Sequence, residues 1–232
     1  MKGAALAAPF AFRDSDMSTA TTGTTTKDLG FTHRFIPGRE AGKAPLLLLH
    51  GTGGDENDLI PLAEQIAPYS TILSPRGKVL EHGMPRFFRR TDAGWDRDDL
   101  VARTDELGDF LKRAREAYGI GKPIALGYSN GANIAWPLML KDPDAFAGAI
   151  LMRAMLPFDP RPLPDLKGLP VLLLAGKYDE LIPVNQAGLL AALLGEAGAD
   201  VTYDTLPAGH GLTEQDVKLA ASWLSSRRQF LG

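Results

Sequence analysis

Cysteine is absent from the 232 residues. Its absence excludes disulfides, thiolate zinc sites and a thiol nucleophile together, and it leaves the redox compartment open. An excess of one charge is lacking too. Twenty-five Lys and Arg stand against 28 Asp and Glu, a formal charge of -3, with both signs mixed along the chain. No basic stripe follows that would track phosphates, so nucleic acid is not an expected partner. No apolar run approaches the roughly 20 residues that a membrane span requires, and no membrane partner is expected. What is present, 44% hydrophobic and 23% charged residues, is the profile of a globular protein. A chain of this length commonly forms one domain that buries roughly three quarters of its unfolded surface, enough to hold a site rigid.

The first residues carry little information. Met1 to Phe12 has one lysine and a short apolar run, but Pro9 breaks the run and no clear cleavage region precedes Arg13 and Asp14. From Met17, a possible natural start, a Ser/Thr-rich stretch offers nothing apolar to bury. Residues 1–27 therefore read as a disordered leader, residues 28–232 as the folded domain, and the location as cytoplasmic.

From Phe31 onward, short apolar runs alternate with longer amphipathic ones. Leu46 to Leu49 is continuously apolar between Pro45 and His50, as a strand buried on both faces must be. Thr71 to Leu73, Ile124 to Leu126, Phe146 to Met152, Val171 to Ala175 and Val201 to Leu206 read as further strands. Helical spacing runs over Asp58 to Ala67, Asp98 to Tyr118, Asn130 to Lys141 (with Pro137 inside it), Val184 to Ala197 and Thr213 to Leu224. That alternation predicts an α/β fold, a mostly parallel central sheet with helices on both faces. Ligand sites of such sheets lie beyond the C-terminal strand ends.

Three of those ends carry chemistry. Gly127-Tyr128-Ser129-Asn130-Gly131 has the G-x-S-x-G spacing between a buried strand and a helix. The serine occupies a tight turn, and the two glycines let strand and helix pack closely. A hydroxyl needs a base to become a nucleophile. Among His33, His50, His82 and His210, the last follows the final strand and is flanked by Gly209 and Gly211, which let a loop fold back over the sheet. A carboxylate should fix that imidazole's tautomer. Asp179 follows the strand ending at Ala175, and its neighbour Glu180 fits a solvated turn. The order Ser, Asp, His is that of the α/β-hydrolase fold. Two backbone amides should hold an oxyanion: that of Asn130, and that of Thr52 in the His50-to-Gly54 loop. His50 itself reads as structural.

With these residues in view, the chain resembles the bacterial carboxylesterases of the phospholipase/carboxylesterase family, relatives of the dienelactone hydrolases. The resemblance rests on LLLLHGTGGDENDL, LGYSNGANIA, AGKYDELIPV and PAGHGL, and it covers about Phe31 to Leu231. The stretch Met84 to Arg90 is similar to the esterases associated with hydroquinone stress. The resemblance implies roles for Ser129, Asp179 and His210, an oxyanion hole at Thr52 and Asn130, no cofactor, no metal, and a small enzyme that is often a homodimer. Dienelactone hydrolases proper use cysteine, which this chain lacks. The loop from Pro75 to Trp95 carries Phe87 and Phe88, which either line an apolar substrate pocket or pin the loop to the body; Ile182 is a further candidate lining residue. The leading expectation is a serine carboxylesterase acting on small-molecule esters. Acyl-protein thioesterase or lysophospholipase-like activity is the alternative within the class, and a non-catalytic binding protein the alternative outside it.

Overall fold

The computed structural model describes residues 27–40, 42–91 and 94–227. Apart from Lys27, the expected leader lies outside the described residues. Strand β1 (His33–Ile36) is followed by β2 (Leu46–Leu49), α1 (Ile60–Ile66) and β3 (Ile72–Pro75). The next segment folds into two small hairpins, β4 (Val79–Glu81) with β5 (Met84–Arg86) and β6 (Arg90–Thr91) with β7 (Gly94–Trp95). Then come α2 (Arg97–Tyr118), β8 (Ile124–Tyr128), α3 (Asn130–Lys141), β9 (Gly148–Met152), β10 (Pro170–Gly176), α4 (Val184–Glu196), β11 (Asp200–Leu206) and α5 (Glu214–Ser226).

Seven strands form one sheet in the order β1-β3-β2-β8-β9-β10-β11. Every pairing is parallel except β1 with β3. The apolar runs are continuous because each strand feeds two cores. Leu47, Leu49, Ala125, Leu151 and Leu173 point to one face, against α2, α3 and α4. Leu46, Leu48, Leu126, Ile150 and Leu172 point to the other, against α1 and α5. The strand period of two thus divides one leucine run between two layers. β1 and the hairpins were not foreseen: β1 carries polar and charged residues on a sheet edge, and two- or three-residue strands leave no periodicity to read.

Helix ends are set locally. Asp96 caps α2 by accepting from the Asp99 amide at 3.0 Å, and Gly119 ends it at φ 64°. Thr213 and Asp216 form a capping box at α5. The consequence for function is that β2, β8, β9, β10 and β11, being parallel, all deliver their following loops to one edge.

Candidate active site

Ser129 stands between β8 and α3 with φ 51° and ψ -113°, a conformation that costs an L-residue energy and persists only where the surroundings enforce it. The Ser129 amide donates to the Met152 carbonyl at 2.9 Å, and its own carbonyl accepts from Asn133 at 2.9 Å. Close packing explains the flanking glycines. A methyl group on Gly131 would sit on the Leu49 carbonyl oxygen, and one on Gly127 would lie 2.7 Å from the Ala132 Cα.

Two other strand ends meet this turn. His210 Nε2 lies 2.9 Å from Ser129 Oγ, and its Nδ1 lies 2.9 Å from Asp179 Oδ2. The second carboxylate oxygen, Oδ1, accepts from the amides of Leu181 and Ile182, both at 2.9 Å. Burial alone would raise the Asp179 carboxyl, but the hydrogen bonds from His210, Ile182 and Leu181 outweigh it and hold the group below its ordinary value. An ionised carboxylate only accepts, so Nδ1 carries the imidazole proton and Nε2 is left to accept from the serine. Exposure grades along the chain of groups: the Asp179 side chain is 1% exposed and that of His210 20%. Glu180, the rival carboxylate, is exposed and makes no part of this array.

The predicted amide donors are also in position to be free. Asn130 opens α3, where an N–H has no acceptor within the helix. In the β2 loop, the Gly53 amide is engaged by Pro85 and the Gly54 amide by Gly51, whereas no protein acceptor takes that of Thr52 among the described residues. Asn130 does more than its amide suggested, for its buried side-chain oxygen accepts from the Phe87 amide at 2.7 Å.

His50 is structural, as read. Its Nδ1 donates to the Gly51 carbonyl at 2.6 Å and its Nε2 accepts from the Gly77 amide at 2.9 Å, so the neutral ring ties two loops together. Burial pushes this imidazole below its ordinary value, against the raising pull of the Gly51 carbonyl, Asp55 and Glu56. A histidine with a depressed folded pKa adds stability above its unfolded value of about 6.5, and that contribution is lost as pH falls through the folded value. Urea midpoints should therefore drop as pH is lowered from about 7 to about 5, and less steeply in His50→Gln. Equal slopes in the two proteins would exclude His50 as a source. His33 is buried between the Phe31 carbonyl and the Tyr118 hydroxyl, and His82 is exposed in the β4–β5 turn.

Phe87 and Phe88 require a correction. They are 2% and 1% exposed, packed in the core with Phe87 against His50 and Phe88 against Trp95. Rings so enclosed pin the loop and offer a substrate no surface; burial of their apolar area outweighed any pocket. Ile182 is also buried, and its amide holds Asp179. Two nearby arginines are committed too: Arg86 pairs with Glu81 at 2.8 Å, and Arg89 with Asp96 at 3.2 Å and Asp99 at 3.5 Å.

Two side chains that the motifs did not single out reach the loop of His210. Tyr128 donates its hydroxyl to the His210 carbonyl at 3.1 Å. Burial pushes that hydroxyl up to about 12, so it remains a donor. Arg153, directly after β9, donates to the carbonyls of Gly209 and Gly211, both at 3.0 Å. The only signal for Arg153 in the sequence is a lone charge ending an apolar strand.

A strained serine turn after a central parallel strand, with a carboxylate and an imidazole from later strand ends, is the architecture of the α/β hydrolases. The family model for the alpha/beta hydrolase fold matches residues 44–167, and the chain belongs to that family. It is 46% identical over 181 residues to a Bacillus subtilis (strain 168) protein described as "Putative hydrolase MhqD", covering 77% of this chain and 90% of that one. The structure of a Bacillus cereus carboxylesterase superposes with a TM-score of 0.83 at 42% identity, over 86% of this chain and 95% of the other. A Mesorhizobium loti carboxylesterase gives 0.80 at 35% identity, over 86% and 97%. Among the described residues no helix is long and apolar enough to cross a membrane.

Proposed function

We propose that this protein hydrolyses small carboxylic esters through an acyl-enzyme, with Ser129 as nucleophile, His210 as general base and Asp179 orienting the imidazole. The observation that carries the reading is the unbroken hydrogen-bonded series from Ser129 Oγ through both His210 nitrogens to Asp179 Oδ2. Names of relatives support the bond class, since two similar structures are of carboxylesterases.

The chemistry follows from the atoms. Nε2 takes the Ser129 proton as Oγ attacks the ester carbon, and the carbonyl electron pair moves onto oxygen. The oxyanion is held by the Thr52 and Asn130 amides, at the positive end of α3. Asp179 stabilises the imidazolium formed. On collapse, the C–O bond to the alcohol breaks and Nε2–H supplies the alcohol's proton. Water then repeats the sequence on the acyl-serine, releasing the carboxylic acid and restoring Ser129. No cofactor enters any step.

p-Nitrophenyl acetate and butyrate test it. Turnover is expected with both, together with covalent labelling of Ser129 by a fluorophosphonate probe. Neither turnover nor labelling above a Ser129→Ala control would refute it.

A further inference from the structure

The imidazole of His210 hangs from a loop with glycine on either side and no strand or helix of its own. Three consecutive carbonyls of that loop, at Gly209, His210 and Gly211, are nevertheless gripped by side chains. Arg153 Nε holds the first and Arg153 Nη2 the third, each at 3.0 Å, and the Tyr128 hydroxyl holds the middle one at 3.1 Å. Both grips are anchored in the sheet. Tyr128 ends β8 immediately before Ser129, and Arg153 follows Met152, whose carbonyl accepts the Ser129 amide. The loop of the imidazole and the turn of the serine thus share one frame of reference.

Arg153 is built in at a cost. Its side chain is 0% exposed, as is that of Asp216, with which it forms a two-pronged ion pair at 2.7 and 3.0 Å. Asp216 Oδ2 also accepts from the Thr213 amide and hydroxyl at the start of α5. Arg153 sits at φ 56°, unusual for a bulky residue. Buried ion pairs are weak contributors to stability compared with apolar packing, and strained backbone concentrates where geometry matters for function.

We propose that Arg153 and Tyr128 are positioning residues that clamp the backbone of residues 209–211 and keep His210 Nε2 within reach of Ser129 Oγ, with Asp216 holding the guanidinium. The inference rests on the reading of His210 as general base. Lysine at 153 keeps the charge beside Asp216 but cannot span two carbonyls, and phenylalanine at 128 removes one hydroxyl alone.

The test compares Tyr128→Phe and Arg153→Lys with the wild-type protein and His210→Ala. It measures kcat and KM on p-nitrophenyl acetate, the rate of fluorophosphonate labelling, thermal midpoints and hydrogen exchange over residues 209–212. Misplacing a base by about an ångström costs on the order of 100-fold. Expected are kcat and labelling losses of about 10-fold for Tyr128→Phe and about 100-fold for Arg153→Lys. KM should stay within about twofold, and exchange over 209–212 should quicken. A merely structural role would lower the thermal midpoint and leave kcat of the folded protein unchanged; that result overturns the clamp while the base reading stands. Wild-type turnover in His210→Ala overturns the base reading and the clamp together. Should Arg153→Lys fail to fold, Tyr128→Phe decides: unchanged kcat and exchange there overturn the proposal.

Discussion

Ser129→Ala is expected to lower kcat on p-nitrophenyl acetate by on the order of 10⁴- to 10⁶-fold while the protein stays folded. The exchange removes one oxygen atom from a tight turn and adds no volume, so the packing of β8 against α3 has no reason to change. What disappears is the hydroxyl oxygen that the proposed mechanism assigns to the acyl bond. The Thr52 and Asn130 amides would remain, and so would the general polarity of the edge, which accounts for a residual rate. His210→Ala should cost nearly as much, because an unactivated hydroxyl is a poor nucleophile at neutral pH. The Ser129→Ala/His210→Ala double variant should be scarcely worse than either single one, since base and nucleophile act as a unit. Full additivity of the two losses would mean that the pair acts separately. Turnover by Ser129→Ala within a factor of ten of the wild type would remove the serine from the mechanism.

Gly131→Ala should produce the largest loss of stability, about 3 kcal/mol or more, with activity lost alongside it. The new methyl would fall on the carbonyl oxygens of Leu49 and His50, which are backbone atoms at the end of β2. A flexible side chain can swing aside, but a central strand cannot without breaking its pairing with β3 and β8. Relief is available only by moving α3 away, and α3 carries the first turn that includes Asn130. The Gly195→Ala exchange provides the contrast. Gly195 lies on the exposed face of α4 near its end, where a methyl would meet nothing within 4 Å. There the helix preference of alanine should raise stability by roughly 0.5 kcal/mol. Urea unfolding midpoints of the three proteins measure both effects. A Gly131→Ala protein as stable as the wild type would contradict the packing argument.

Much of the architecture was legible because buried parallel strands leave a plain mark. Leu46 to Leu49 and Val171 to Ala175 must be apolar at every position, since each face of the sheet is covered, and helices between them must be amphipathic. Bounds shifted by one or two residues at most of these elements. β1 and the two hairpins escaped because a strand of two to four residues with mixed polarity resembles a loop. The aromatic loop illustrates a different failure. Phe87 and Phe88 have the composition of either a pocket or a core, and only their enclosure at 2% and 1% exposure decides for the core.

Local sequence by itself determined the serine turn, the glycines that permit it, and the order in which serine, carboxylate and imidazole reach the strand ends, because those depend on chain connectivity and steric limits within a few residues. Tertiary structure alone decided the rest. Arg153 lies 56 residues from Gly209 and Tyr128 82 from His210, and no local pattern encodes so distant a hydrogen bond. Which carbonyl a guanidinium meets depends on how seven strands are ordered and twisted, and that ordering exists only once both cores are packed.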